Sequence, residues 1–136
     1  MYLLDTTVWI DLLRTNSRPI RQHLSAHKSS AIGLSIISVC ELRYGLEKHA
    51  ARHPESLAEN ENYLLTVLSP FQIFLVDHSV VLAYGNVRVA LERSGRGIGA
   101  LDTFIAAQAL SLGATLVTSN VREFSRVPGL RLEDWR

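Results

Sequence analysis

The sequence predicts a three-layer α/β/α fold around a central, mainly parallel sheet. Three observations point there. Short apolar runs alternate with longer segments of helical periodicity along the whole chain. The runs are continuous rather than apolar on alternate residues, the pattern of strands buried on both faces. Turn residues separate them, and no repeat, low-complexity tract or linker interrupts the series. At 136 residues, one domain spanning 1–136 is expected, long enough for a core without disulfides or structural metal.

YLLD (residues 2–5) reads as the first buried strand. TVWIDLLR (7–14) reads as a helix, because Val8 and Leu12, and Trp9 and Leu13, recur at helical spacing. RTNSRP breaks it, and Pro19 suits the first turn of a short second helix reaching His23. AIGLSI (31–36) is the next strand. SVCELRYGLEKHA (38–50) follows as a helix, with Ser38 and Glu41 at the spacing of a capping box. A further helix begins near Pro54 and stops before Pro70. IFLV (73–76) is the third strand. Asp77 caps the long helix that runs to Gly95. After the flexible GRGIG turn, the alanine-rich ALDTFIAAQALSLG makes a helix ended by Gly113. TLVT (115–118) is the fourth strand, and LRL (130–132) a last short one.

Composition narrows the classes. Apolar residues are 47% and charged residues 20%, a globular balance, and the net charge of +1 favours no partner. No apolar stretch approaches a membrane span, and no secretory signal opens the chain. The lone Cys40 cannot form an internal disulfide, which suits a reducing cytoplasm; its place in a helix suggests core. His23, His27, His49, His53 and His78 are scattered, expected on the surface, and form no zinc pattern.

Chemistry is suggested by three acids at element junctions. Asp5 stands where a strand ends and a helix starts, between apolar flanks. Glu41 and Asp102 stand in the first turns of their helices. In a parallel sheet all three junctions share one edge, where α/β sites form. Two carboxylates about 5 Å apart repel by about 3 kcal/mol at an effective dielectric near ~20, and three such pairs by about 10 kcal/mol. Helix N-termini offset only part of this. A hard cation, Mg²⁺ or Mn²⁺, is the natural complement of an all-oxygen set. Each acid also has a structural explanation. Acids are favoured in first helical turns, and the capping box alone would account for Glu41.

The motifs LLDTTVWIDLL, ISVCELRYGLEK, IGALDTFIAAQALSLGATLVTSN and VREFSRVPGLRLEDW are diagnostic in this order and in a chain this short. The sequence resembles the PIN-domain ribonucleases, and more narrowly the VapC toxins of bacterial toxin–antitoxin pairs, over nearly its whole length. The resemblance implies a metal-dependent endoribonuclease whose acidic centre is Asp5, Glu41 and Asp102, holding Mg²⁺ or Mn²⁺. It implies a supporting role for Thr7, where the family usually has Asn or Ser, and for Thr118. Asn120 stands where the family often has a fourth Asp. It offers a carbonyl ligand without charge, with Glu123 nearby as a substitute, and one or two ions remain open.

Water is the implied nucleophile, leaving a 5′-phosphate and a 3′-hydroxyl. The tail is similar to members that cut initiator tRNA in its anticodon loop. Arg14, Arg43, Arg93 and Arg96 lie near the acids in sequence and are expected to contact RNA, unless they are solvated helix faces. The family also implies a homodimer in the bacterial cytoplasm and a VapB-like antitoxin through which alone DNA is bound. Trp9, Leu12 and Leu13 would offer the antitoxin a groove, if they are not core.

Two other readings compete. A PIN module that has lost its fourth acid could bind RNA or a partner protein without cleaving. An aspartyl phosphatase would need a second Asp where Thr7 stands, and a dinucleotide-binding domain would need a glycine-rich turn after the first strand.

Overall fold

The computed structural model describes residues 1–136. Five strands form one parallel sheet in the order β3-β2-β1-β4-β5. They are β1 (Tyr2–Leu4), β2 (Ile32–Ser35), β3 (Gln72–Phe74), β4 (Thr115–Val117) and β5 (Arg131–Glu133). Seven α-helices connect them: α1 (Thr6–Thr15), α2 (Arg18–Ala26), α3 (Ile36–Ala50), α4 (Leu57–Leu68), α5 (His78–Ser94), α6 (Ala100–Ser111) and α7 (Val121–Phe124). Single 3₁₀ turns at Ser29–Ala31 and Pro54–Ser56 precede β2 and α4.

Both faces of the sheet are covered, as the continuous apolar runs require. Leu4, Leu34 and Val117 pack with Val8, Trp9, Ile20, Leu42 and Leu64 in one core. Leu3 and Leu116 turn to the opposite face, against Val87, Leu91, Ile105, Ala106 and Phe124. The alternation of Leu3 with Leu4, and of Leu116 with Val117, is the pleat of each strand dividing its side chains between two layers.

The chain winds outward from β1 to β2 to β3, then crosses back through α5 and α6 to β4 on the other flank of β1. The winding therefore reverses between β1 and β4. Beyond the carboxyl ends of those two strands a crevice opens, the usual place for a site in an open α/β sheet.

Several boundaries depart from the sequence expectation. α3 starts at Ile36, and its cap is Ser35, whose side chain accepts from the Ile37 N–H at 3.0 Å. Ser38 is therefore no cap, and the Ser38–Glu41 capping box does not exist. β2 runs straight into α3 once its ladder with β1 ends at Leu34, and this places the cap one turn earlier. β3 is shifted to Gln72–Phe74 because its partner β2 ends at Ser35, opposite Phe74. Leu75 and Val76, expected inside the strand, are exposed. β5 is likewise shifted by one residue, to Arg131–Glu133, and α2 runs on to Ala26.

Cys40 is exposed rather than core, because α3 buries the stripe carrying Ser38 and Leu42. His27 is half-buried, edge-on to Tyr2 and stacked near Trp135. Trp9 and Leu12 are buried and belong to the core. Asp77 caps α5, accepting from the Val80 N–H at 3.1 Å.

Candidate active site

Asp5 is the residue between β1 and α1. Its N–H donates to the Val117 carbonyl at 2.9 Å, extending the β1–β4 ladder by one bond. Its side chain caps α1, accepting from the Thr6 N–H at 2.7 Å. The Thr7 and Thr118 hydroxyls each donate to Asp5 Oδ2 at 2.8 Å. Only 2% of Asp5 is exposed, so these three donors replace the water a buried carboxylate loses. The Thr118 hydroxyl also accepts from the Asn120 N–H at 2.9 Å, which ties the loop after β4 to the carboxylate.

Glu41 lies in the second turn of α3, not the first. The Thr6 hydroxyl donates to Glu41 Oε2 and joins the start of α1 to α3 across 35 residues of sequence. Thr6 is nearly buried, and sequence reasoning passed over it. Its one signal was a second hydroxyl residue directly after Asp5.

Asp102 lies in the first turn of α6, half-buried. A Cβ added at Gly99 would stand 3.6 Å from Asp102 Oδ2, so the carboxylate leans back over the helix N-terminus. No hydrogen bond reaches it; the neighbouring Thr103 hydroxyl donates instead to the Gly99 carbonyl at 2.9 Å. Burial first, then the charges of Asp5, Glu41 and Glu123, push the Asp102 carboxyl up from 3.8 to about 6. Asp102 therefore carries the like charge of the β1–α1 junction, of α3 and of α7. The ion pairs of the structure all lie elsewhere, and none engages Asp5, Glu41 or Asp102.

The residues fit a hard divalent cation in one respect and limit it in another. Donor chemistry is all-oxygen and the charge is uncompensated. No three acidic, imidazole or thiol side chains close around one point as a ready cage. Mg²⁺ suits such a site, because it keeps several waters and takes only one or two carboxylates directly.

The basic residues divide. Arg93, in the last turn of α5, and Arg96, just past its Gly95 cap, stand at the end of α5 that leads directly into the start of α6 and Asp102. Arg14 is in the last turn of α1, roughly 13 Å along the helix from Asp5. Arg43 is held between Glu47 and Glu61, both at 2.6 Å. Arg136, not singled out in the sequence, donates to the Ser119 carbonyl at 3.3 Å beside the loop carrying Asn120. Asn120 precedes α7, and its side chain makes no cap bond. A cavity of about 420 Å³ lined by Ser79, Leu82, Ala83 and Ser111 lies at the far end of the α5–α6 pair and holds no titratable group.

The PIN-domain family model matches residues 2–130. The chain belongs to the PIN-domain family, in its VapC branch. It is 36% identical over 135 residues to the tRNA(fMet)-specific endonuclease VapC of Salmonella typhimurium, covering 98% of this chain and 97% of that one. It is 33% identical over 136 residues to ribonuclease VapC2 of Rickettsia felis, covering 99% and 98%. The crystal structure of DNA-bound VapBC from Salmonella typhimurium superposes with a TM-score of 0.91 at 32% identity, covering 99% and 98%. The PIN architecture thus accounts for the parallel sheet, and the Thr6–Glu41 bond joins the DTT and CEL segments of this VapC-like chain.

Proposed function

We propose that this protein is the toxin of a VapBC-like pair, an endoribonuclease that hydrolyses RNA phosphodiesters with a divalent metal. The observation that carries the proposal is the Thr6 bridge between Asp5 and Glu41, with Asp102 raised by the charge of both and no ion pair engaging any of the three. Membership of the VapC branch supplies the reaction class, and the Salmonella relative favours a tRNA substrate.

In this reading Asp5, Glu41 and Asp102 would hold Mg²⁺ or Mn²⁺, one or two directly and the rest through its waters, with Asn120 or Glu123 completing the set. The ion's chemistry is to stabilise charge on the phosphate and to acidify the attacking water. Asp5 is kept in one orientation by Thr7 and Thr118, and Glu41 by Thr6. A carboxylate that cannot rotate keeps its oxygens aimed into the crevice. Arg93 and Arg96 contact the RNA backbone on the α5–α6 side. Products carry a 5′-phosphate and a 3′-hydroxyl.

The protein acts as a homodimer in the bacterial cytoplasm, as one domain. A VapB-like antitoxin restrains it and carries the complex to DNA. VapBC in the Salmonella structure is bound to DNA, which supports that partner. No helix is long and apolar enough to cross a membrane.

Sequencing of 5′-phosphate RNA ends after brief induction tests the proposal, with Asp5→Asn as control. New ends in tRNA anticodon loops are expected with the wild type alone. Asn120 at the fourth acidic position favours the non-cleaving module. No cleavage of a mixed RNA pool with any divalent ion would establish that reading instead.

A further inference from the structure

Ser38 carries an anomaly. It is fully buried, and its hydroxyl has no hydrogen-bond partner. It is not the helix cap, a role Ser35 fills. Buried hydroxyls are ordinarily satisfied, so one left idle calls for a reason. Its position supplies one. Ser38 lies three residues before Glu41 on α3, on the same helical face. Helical side chains lean toward the N-terminus, which brings the Glu41 carboxylate over the turn that carries Ser38.

Glu41 Oε2 is held by the Thr6 hydroxyl, whereas no donor reaches Oε1. A free donor and a free acceptor thus stand one helical turn apart at the acidic crevice. Asp5 provides the comparison, because two hydroxyls, from Thr7 and Thr118, hold its carboxylate.

We propose that Ser38 is a positioning residue for Glu41, its hydroxyl closing onto Glu41 Oε1 when the crevice takes up its cation, so that Thr6 and Ser38 clamp Glu41 as Thr7 and Thr118 clamp Asp5. The inference rests on the metal-dependent reading of the site. Glu41 is the residue that touches the ion, and Ser38 acts through it. The side chain rearranges by rotation within α3, with no backbone change.

The test is Ser38→Ala, with Ser38→Thr as the conservative variant, read three ways. Thermal unfolding of the metal-free proteins comes first. Alanine removes an idle buried hydroxyl, so the melting temperature is expected to hold or rise. Calorimetric titration with Mn²⁺ in the absence of RNA comes second, where Ser38→Ala is expected to bind ~10-fold more weakly, the usual scale for a group that orients a metal ligand. Cleavage of a tRNA pool comes third, with kcat expected to fall ~10-fold at unchanged KM and Ser38→Thr to recover most of it.

Unchanged Mn²⁺ affinity and unchanged kcat in Ser38→Ala overturn the proposal, as does a large drop in melting temperature, which marks Ser38 as structural. Failure of the ribonuclease reading is separately visible. The wild type would then bind Mn²⁺ more tightly than Ser38→Ala while cleaving nothing.

Discussion

The two halves of the acidic crevice are built differently. On the β1–β4 side, Asp5 is buried and receives three hydrogen bonds from Thr6, Thr7 and Thr118. On the α6 side, Asp102 is half-buried, receives none, and is raised to about 6 by burial and by three like charges. The first carboxylate is satisfied by protein. The second is left to be satisfied by something else. A polar group that is neither hydrogen-bonded nor paired is costly in proportion to its burial, so the contrast shows where a cation gains most. In the proposed site Asp5 would be a fixed post and Asp102 would supply the unmet demand.

The largest expected effect breaks the fixed half. Asp5→Asn should reduce RNA cleavage to background in an end-labelled tRNA assay. Far-ultraviolet circular dichroism should stay unchanged, because asparagine is also a good helix cap. An unfolded Asp5→Asn protein would make Asp5 structural. Next in size is Thr118→Val, which removes one of Asp5's donors and the acceptor of the Asn120 N–H. It should destabilise by about 2 kcal/mol in urea unfolding and slow cleavage ~10- to 100-fold.

Asp102→Asn probes the unsatisfied half and should do the opposite to stability. In metal-free protein at neutral pH it should stabilise by about 1–2 kcal/mol, the raised pKa being discounted for partial exposure. Activity should be lost all the same. The pH dependence has a definite sign. The folded carboxyl titrates near 6, against 3.8 ordinarily. Between those values the folded state binds more protons than the unfolded one. This group's contribution to stability therefore rises as pH falls from 7 through about 6, and is complete by 3.8. Asp102→Asn should flatten that rise in the metal-free protein.

The smallest effects separate the arginines. Arg93→Ala with Arg96→Ala should weaken RNA binding and lower its salt slope by about 1–2. Arg43→Ala should leave cleavage rates unaltered, since Glu47 and Glu61 already occupy its guanidinium.

The same division governs what was legible in the sequence. Asp5 could be read, because an acid between two apolar runs has few explanations, and the parallel sheet followed from strands without alternation. Glu41 was half legible. Ser38 and Glu41 carry the spacing of a capping box, but the start of α3 is fixed by where the β1–β2 ladder ends. That is a tertiary event, and the true cap is Ser35. The Thr6–Glu41 bond joins residues 35 apart and leaves no local trace. Arg43 looked available for RNA until α4 brought Glu61 beside it. Cys40 was recoverable in principle, since burying Ser38 and Leu42 turns it outward.

The central claim is that the unsatisfied carboxylate and its neighbours form one cation site. A thermal unfolding series with increasing Mn²⁺ tests it directly, run on the wild type and on Asp102→Asn. The account predicts a saturable rise of several degrees in the wild type, with the pH dependence below 7 suppressed, and little response in Asp102→Asn. An identical response in both proteins, or none in either, would contradict it.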